Sequence, residues 1–274
     1  MDYNAFVRNI EKWNNEPLGG YLVLGSNSET AYLNEEEKLT LIELTVQIAK
    51  KERTILAGTG LESTRETIRL TNMAAKLGAH AGLLLTPNYY LSQMSDEALI
   101  KYFTSIADAS EIPLLLYNVP KFTHLNISVE AVRILSQHPN IIGMKDSAGN
   151  ITQLEAFKKV VPEEFNLIVG SATILYEALT LGVKAGILAL ANCAPQACAD
   201  VQELFNQGKH EEAKQLQERL LPAIKAVTDT YGIAGLKYAA TLTGYEGGFV
   251  RSPLSELSNE FKGRIREILI EAGL

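Results

Sequence analysis

A lysine stands at the carboxyl end of the apolar segment IIGMKDS, which spans residues 141–147. The residues before Lys145 are typical of a strand buried on both faces, so its amine would lie in an apolar site. Lysine is rarely buried, because an ammonium without a partner loses several kcal/mol when it leaves water. Burial favours the neutral amine, which is nucleophilic and can form a Schiff base with a carbonyl substrate. The alternative is a structural lysine that extends its ammonium from the strand end to solvent.

Tyr117 occupies a matching position near the end of the preceding apolar segment, PLLLYNVP. Neighbouring strands lie about 5 Å apart, so the phenol and the amine of Lys145 can meet at one end of a sheet. A phenol in that position can carry protons to and from a Schiff-base intermediate. The alternative is a tyrosine that only fills the hydrophobic core.

The faces of the Lys145 segment follow from strand alternation. If Lys145 points into the interior, Gly143 and Ile141 point the same way, and Ile142 and Met144 face outward. Gly143 has no side chain, so we expect it to leave room beneath the lysine.

The elements that position these residues follow a repeating pattern. Short apolar segments alternate with amphipathic stretches that have good helix starts, such as Asn34 before three glutamates and the capping box from Ser63 to Glu66. The segments are too short for helices and too uniformly apolar for half-exposed strands, which predicts parallel strands buried on both faces. The seven predicted strands lie within residues 21–25, 54–58, 82–87, 113–120, 141–147, 166–171 and 186–192.

Two architectures fit this alternation, a doubly wound open sheet and a (β/α)8 TIM barrel. No G-x-G-x-x-G or phosphate-binding loop follows a strand, which disfavours a nucleotide-binding sheet. Polar residues cluster instead at the carboxyl ends of strands, where barrel enzymes carry their active sites. We therefore predict an α/β protein with a TIM-barrel domain over residues 1–208 and a C-terminal helical extension over residues 209–274, packed on the barrel.

Composition excludes several functions. The chain has 274 residues and a net charge of −7 without a basic stripe, which argues against a nucleic-acid partner. Its apolar runs are far too short to cross a membrane. The two cysteines, Cys193 and Cys198, fit neither a disulfide framework nor a zinc site, and the four histidines have no metal-ligand spacing. The polar start resembles neither a signal peptide nor a transit peptide. We expect a cytoplasmic protein without a metal, or a mitochondrial matrix protein if a leader is missing from the sequence.

Six motifs in register resemble the dihydrodipicolinate synthase/N-acetylneuraminate lyase family. They are GSNSE (25–29), AGTGLEST (57–64), TPNYY (86–90), YNVP (117–120), GMKDS (143–147) and GSA (170–172). The likeness runs from about residue 3 to the end and includes GIAGLK and RSPL. It implies a pyruvate-dependent class I aldolase on a (β/α)8 barrel with C-terminal helices. Within the family, the stretches LSQHPNIIGMKDS and LALAN are most similar to 4-hydroxy-2-oxoglutarate aldolases.

The resemblance implies a role for each matching residue. Lys145 would form the Schiff base, with no cofactor because the iminium itself accepts the electrons, and Tyr117 would relay protons. Ser26 and Asn27 would bind the pyruvyl carboxylate beside that relay. Tyr89 would enter the site of a neighbouring subunit and complete the relay, in a homotetramer or homodimer.

The resemblance also implies which residues contact the distal end of a 2-oxo acid substrate, the end farthest from the pyruvyl carboxylate. The resemblance places Ser147 and Gly170 there, and the loops that carry Ser171 and Asn192 would set the specificity for the aldehyde. The alternative for the loop residues is an ordinary role in turns.

The sequence departs from the family at two places. Synthases of the family carry an arginine two residues after the proline of YNVP, where it binds the carboxylate of the aldehyde substrate, but Phe122 stands here. Family members also begin with a further strand, whereas the sequence from Asp2 already predicts a helix. We therefore expect seven strands, two unpaired sheet edges, and a gap that loosens Ser26 and Asn27.

These observations favour cleavage of 4-hydroxy-2-oxoglutarate to pyruvate and glyoxylate. Three alternatives stay open at this point. The chain could be an aldolase for a 2-keto-3-deoxy sugar acid or for N-acetylneuraminate, or a 4-hydroxy-tetrahydrodipicolinate synthase. It could also be a non-catalytic barrel that binds a small molecule or another subunit.

Overall fold

A single parallel sheet forms the centre of the molecule in the computed structural model, which describes all 274 residues. Its seven strands are neighbours in chain order, so every connection crosses over to the next strand along, as in a TIM barrel. Each strand overlaps the segment predicted for it. The strands are β1 (Gly20–Val23), β2 (Thr54–Gly58), β3 (Ala81–Leu85), β4 (Leu114–Asn118), β5 (Ile141–Asp146), β6 (Asn166–Val169) and β7 (Ala185–Gly186).

Twelve α-helices surround or follow the sheet. Those up to the ninth are α1 (Tyr3–Trp13), α2 (Glu35–Ile48), α3 (Thr64–Lys76), α4 (Asp96–Ala109), α5 (Pro120–Thr123), α6 (Val129–Leu135), α7 (Ile151–Val160), α8 (Leu175–Thr180) and α9 (Pro195–Asn206). The C-terminal helices are α10 (His210–Lys225), which continues into a π-helical turn over Ala226–Thr230, α11 (Gly232–Leu242) and α12 (Asn259–Ala272). None of the helices is long and apolar enough to cross a membrane.

The two predicted helix starts differ in detail. Asn34 accepts a hydrogen bond from the Glu37 amide at 2.8 Å, and Glu37 accepts one from the Asn34 amide at 3.0 Å, so the capping box is complete. Ser63 accepts from the Glu66 amide at 3.4 Å, but the Glu66 carboxylate pairs with arginines of its own helix instead of returning to Ser63. Only half of the capping box predicted at α3 is therefore present.

The seventh strand is much shorter than the sequence predicts. Residues 186–192 were expected to be extended, but the strand covers Ala185–Gly186, and Ala189–Asn192 form a 3-10 turn. The Ile187 amide still donates to the Val169 carbonyl at 2.9 Å. The strand pairs with β6 alone, and without a partner on its other side few hydrogen bonds hold it extended.

Both edges of the sheet are unpaired, as the count of seven strands predicts. The first strand pairs with β2 alone and the last with β6 alone. Helix α1, which precedes the sheet in the chain, packs against α2. Whether this arrangement loosens Ser26 and Asn27 stays a prediction.

Two hydrophobic clusters lie on opposite faces of the middle of the sheet. The inner cluster includes Leu83, Leu115 and Tyr117. The outer cluster has 39 buried residues and continues from the barrel helices into α12 through Ile265 and Leu269. The C-terminal helices thus share one core with the outside of the barrel, which accounts for their packing on it. The boundary between residues 208 and 209 remains a prediction.

Candidate active site

The amine of Lys145 lies directly against the phenol of Tyr117. The two residues are paired in register on β5 and β4. Lys145 Nζ donates to Tyr117 Oη at 3.3 Å and lies 4.3 Å from the centre of the ring. Both residues are buried, with 6% and 5% of their surfaces exposed. The pair therefore forms a water-poor site in which an amine and a proton donor are in contact.

The prediction from strand alternation that Ile141 points inward and Ile142 outward is wrong. Ile141 packs into the outer cluster, whereas Ile142 packs against the inner cluster. The cause is a bulge, because Leu114 pairs with Ile141 while the next residue, Leu115, pairs with Gly143. Ile142 is the extra residue, and an insertion of this kind reverses the alternation for everything before it.

The glycine that makes room for Lys145 is Gly170 and not Gly143. A Cβ at Gly143 would lie 2.5 Å from the backbone carbonyl oxygen of Asn166, so this glycine permits the close approach of β6. A Cβ at Gly170 would lie 2.9 Å from Lys145 Cε and 1.9 Å from Ser147 Oγ. Gly170 therefore belongs to the site through the space it leaves open.

Ser26 extends the polar chain beyond Tyr117. Its Oγ donates to Tyr117 Oη at 3.4 Å, so a continuous path leads from the lysine amine through the phenol to a hydroxyl group. Ser26 begins a 3-10 turn, Ser26–Ser28, that follows β1 after Leu24 and Gly25 and also contains Asn27. Gly25, Ser26, Thr30 and Tyr117 line a small cleft at this point.

The charge balance around Tyr117 favours loss of its proton. Burial by itself raises the pKa of the phenol, but the positive charge of Lys145 and the hydrogen bond from Ser26 outweigh it, and the pKa lies below its ordinary value. Ser147 Oγ lies near the phenol and also lowers the pKa of Tyr117. This hydroxyl is buried and has no hydrogen-bond partner of normal geometry. A phenol with a lowered pKa beside an amine is suited to proton transfer.

The other residues of the predicted distal end follow β6 and β7. Ser171 comes directly after Gly170, and its Oγ shares a hydrogen bond with Thr173 Oγ1 at 2.7 Å. Asn192 closes the 3-10 turn after β7, where its Nδ2 donates to the Ala189 carbonyl at 2.9 Å. Each side chain makes one hydrogen bond within its own turn and keeps further donor or acceptor capacity for a substrate.

No hydrogen bond joins the Tyr89 side chain to the Lys145 site of its own chain. Its side chain is 77% exposed and packs edge-on against Tyr90 at 5.0 Å between ring centres. The backbone beneath is fixed, because the Glu62 carboxylate accepts from the amides of Asn88 and Tyr89 at 3.0–3.1 Å. Its predicted entry into a neighbouring subunit's site stays a prediction.

A buried amide cluster behind the site was missed at the level of sequence. Asn118 and Asp146 follow Tyr117 and Lys145 in the chain and point to the other side of the sheet. Asn118 Nδ2 donates to Asp146 Oδ1 at 2.7 Å, and Gln153 Nε2 donates to the same oxygen at 3.3 Å. Burial raises the pKa of Asp146, whose second oxygen has no partner. The adjacent polar residues in YN and KD were the signal that could have revealed this link between β4 and β5.

The cysteines lie apart from this site. Cys193 precedes α9 and Cys198 lies in its first turns, and both are buried and unpaired. Burial raises the pKa of each thiol to about 12, so neither is a reactive thiolate. No group of three or more His, Cys, Asp or Glu side chains is arranged to hold a metal ion.

Comparison with known proteins identifies what the chain is similar to. The profile of the Dihydrodipicolinate synthetase family matches residues 1–272. The 4-hydroxy-tetrahydrodipicolinate synthase of Acidiphilium cryptum is 34% identical over 274 residues, which cover 100% of this chain and 93% of the relative.

Solved structures agree with the sequence comparison. The dihydrodipicolinate synthase of Acinetobacter baumannii, solved in complex with pyruvate, superimposes with a TM-score of 0.94 at 30% identity, covering 100% of this chain and 93% of that one. A monomeric dihydrodipicolinate synthase variant gives a TM-score of 0.94 at 25% identity, covering 100% and 92%. The predicted TIM-barrel fold is confirmed by these likenesses.

Proposed function

Since the chain belongs to the Dihydrodipicolinate synthetase family, a family of class I pyruvate-dependent aldolases and lyases, we propose that it cleaves 4-hydroxy-2-oxoglutarate to pyruvate and glyoxylate. The observation that carries this choice is Phe122, which stands where synthases of the family are expected to have arginine. An arginine binds a carboxylate with two parallel hydrogen bonds, and phenylalanine cannot.

The neighbouring cation does not replace that arginine. Lys121 Nζ donates to the Thr228 carbonyl at 2.6 Å and to Asp229 Oδ1 at 2.8 Å, so it is engaged with the C-terminal π-helical turn. Phe122 itself is 47% exposed. The polar groups that remain for the distal end are Ser147, Ser171 and Asn192. Glyoxylate also carries a carboxylate, directly next to its aldehyde carbon, and we infer that these short polar side chains suit it better than aspartate semialdehyde, whose carboxylate lies two carbons farther from the aldehyde.

The proposed reaction begins when the Lys145 amine attacks the C2 ketone and water leaves, which gives a protonated imine. Tyr117 takes the proton of the C4 hydroxyl, and the electrons of the C3–C4 bond move into the imine as glyoxylate departs. The resulting enamine is protonated at C3, and hydrolysis then releases pyruvate and the free lysine. Ser26 and Asn27 hold the pyruvyl carboxylate throughout. The iminium accepts the electrons, so the proposal needs no cofactor.

A second candidate is 4-hydroxy-tetrahydrodipicolinate synthase, the name carried by the relative from Acidiphilium cryptum. This reaction begins with a Schiff base of pyruvate on Lys145, the same species that the cleavage reaction forms just before hydrolysis. It then adds aspartate semialdehyde instead of releasing an aldehyde. Both candidates therefore use the same lysine and the same pyruvate intermediate, and they differ in the aldehyde and in the direction of carbon–carbon bond chemistry.

Steady-state kinetics with both reactions separates the candidates. We expect kcat/KM for cleavage of 4-hydroxy-2-oxoglutarate to exceed that for condensation of pyruvate with aspartate semialdehyde by at least about 10-fold, a modest specificity difference of about 1.4 kcal/mol. The variant Phe122→Arg should move this ratio toward condensation, and Phe122→Met is the matched control for size without charge. A wild-type preference for the semialdehyde would overturn the proposal in favour of the second candidate.

A further inference from the structure

The loop that carries Ser26 contains a buried acidic residue with an unusual backbone. We call residues 24–32 the carboxylate loop. Glu29 within it is only 9% exposed and has φ of +54°, and Leu24 at its start has φ of +63°. Positive φ is uncommon for residues with a side chain, so surrounding contacts must hold the loop in this shape. The loop follows β1, an edge strand with one neighbour, so the sheet supports it from one side only.

The carboxylate of Glu29 is satisfied by the C-terminal part of the chain. Lys237 Nζ forms an ion pair with Glu29 Oε2 at 2.6 Å. The Arg251 amide donates to Glu29 Oε1 at 2.6 Å. Lys237 Nζ also donates to the Phe249 carbonyl at 2.5 Å, which joins helix α11 to the segment that follows it. Each oxygen of the buried carboxylate thus has a partner more than 200 residues away in the sequence.

A second contact fixes the other end of the loop. The Arg251 guanidinium binds both oxygens of Glu37 at 2.5 and 2.6 Å and donates to the Tyr32 carbonyl at 2.9 Å. Glu37 belongs to the capping box of α2, so Arg251 ties the loop end to the start of that helix. A Cβ at Gly247 would lie 1.8 Å from the Lys237 carbonyl oxygen, so the C-terminal segment packs closely on α11.

We propose that Lys237 and Arg251 form a clamp that positions the carboxylate loop, with Glu29 as the residue through which it acts. This inference rests on the proposed binding of the pyruvyl carboxylate by Ser26 and Asn27. The clamp compensates for the neighbour that β1 lacks and keeps Ser26 within 3.4 Å of Tyr117. Lys237 and Glu29 are positioning residues in this account, because Glu29 belongs to the loop, Lys237 binds it, and neither is proposed to touch the reacting atoms. Loss of the clamp weakens pyruvate binding and leaves the chemical step largely intact.

The test measures how much pyruvate is needed to form the Schiff base. The protein is incubated with increasing pyruvate and reduced with borohydride, and the fraction of modified Lys145 gives a half-saturation concentration. We expect Lys237→Met to raise this concentration about 10-fold while kcat changes less than about 3-fold, the pattern of lost uniform binding. Glu29→Gln should also raise the half-saturation concentration. This second variant tests the clamp even if Lys237→Met does not fold. Lys237→Arg retains the charge and should restore most of the binding.

Glu246→Gln is the matched control. Glu246 lies in the same C-terminal segment but pairs with Arg8 of helix α1 instead of the carboxylate loop. This variant should leave the half-saturation concentration unchanged. An equal rise in Glu246→Gln and Lys237→Met would mean general loosening of the segment and would overturn the clamp, as would wild-type binding in both Lys237→Met and Glu29→Gln.

Ser26→Ala separates failure of the clamp from failure of the proposed site. If Ser26→Ala weakens pyruvate binding and the clamp variants do not, the carboxylate role stands and the clamp is wrong. If Ser26→Ala binds pyruvate normally, the role of Ser26 is wrong, and the clamp loses its function with it. The half-saturation concentration is measured with pyruvate alone, so this part of the test is independent of which aldehyde the protein accepts.

Discussion

The Cε atom of Lys145 lies 2.9 Å from the position that a Cβ atom would take at Gly170. Real Cβ atoms do not approach other carbon atoms so closely, and the same Cβ would overlap Ser147 Oγ. The lysine therefore reaches Tyr117 through a space that exists only because residue 170 has no side chain. This relationship connects the loop after β6 to the reactive group on β5.

Gly170→Ala should displace the lysine while the fold is kept. We expect kcat to fall by about 10- to 100-fold, because displacing a reacting group by about 1 Å can cost that much. Gly263→Ala is the control, since Gly263 lies on the exposed face of α12 and a Cβ there meets nothing within 4 Å. It should keep full activity and gain up to about 1 kcal/mol of stability from better helix propensity. Full activity in Gly170→Ala would show that the lysine needs no such space.

Tyr117→Phe removes the proposed proton relay with little change in shape. We expect kcat to fall by about 10² to 10⁴, the usual effect of losing a proton-transfer group. Tyr102→Phe is the control, because Tyr102 is also buried and donates to the Leu61 carbonyl at 2.8 Å, away from the site. It should lose about 1 kcal/mol of stability and retain its turnover. Near-normal turnover in Tyr117→Phe would place the relay elsewhere.

The exposed pair Tyr89 and Tyr90 predicts self-association. Large aromatic side chains on a fixed backbone are typical of interfaces, and a neighbouring subunit would bury them. Light scattering at micromolar concentration should give the mass of a homodimer or homotetramer, and Tyr89→Ala should lower both that mass and kcat. A monomer with full activity would reject this prediction.

The two sheet edges predict that an added strand stabilises the protein. An unpaired backbone group costs about 1–3 kcal/mol when it is buried. A short apolar strand fused ahead of Asp2, able to pair with β1 and β7, should therefore raise Tm and turnover. A Gly/Ser segment of the same length is the control and should change neither. If the apolar strand also has no effect, the seven-stranded sheet is self-sufficient.

The sequence predicted the sheet well because buried parallel strands have a strong local signature. The predicted segment 54–58 has the same first and last residues as β2. The pairing of Tyr117 with Lys145 was predicted from the spacing of neighbouring strands. The bulge at Ile142 was not predicted, since it depends on how β4 and β5 fit together, and the glycine beside it, Gly143, was interpreted only as room for Lys145. The short β7 depends on the partner that its outer edge lacks, which local pattern does not reveal.

The contacts that complete the site are long-range, and for that reason they escaped sequence reasoning. The ion pair of Glu29 with Lys237 joins residues whose separation in the chain carries no pattern. The space beside Gly170 depends on the rotamer of a lysine on another strand. In contrast, the candidate residues that follow strand ends, such as Ser26 and Ser147, were predictable because parallel strands bring their carboxyl ends together.

The central claim is that Lys145 forms a Schiff base with a 2-oxo acid, and covalent trapping tests it most directly. The protein is incubated with pyruvate, reduced with borohydride, digested and mapped by mass spectrometry, with Lys145→Arg and a sample without pyruvate as controls. We predict one adduct, on the peptide that contains Lys145, and none in either control. An adduct on a different lysine, or no adduct in a preparation that turns over substrate, would contradict this account.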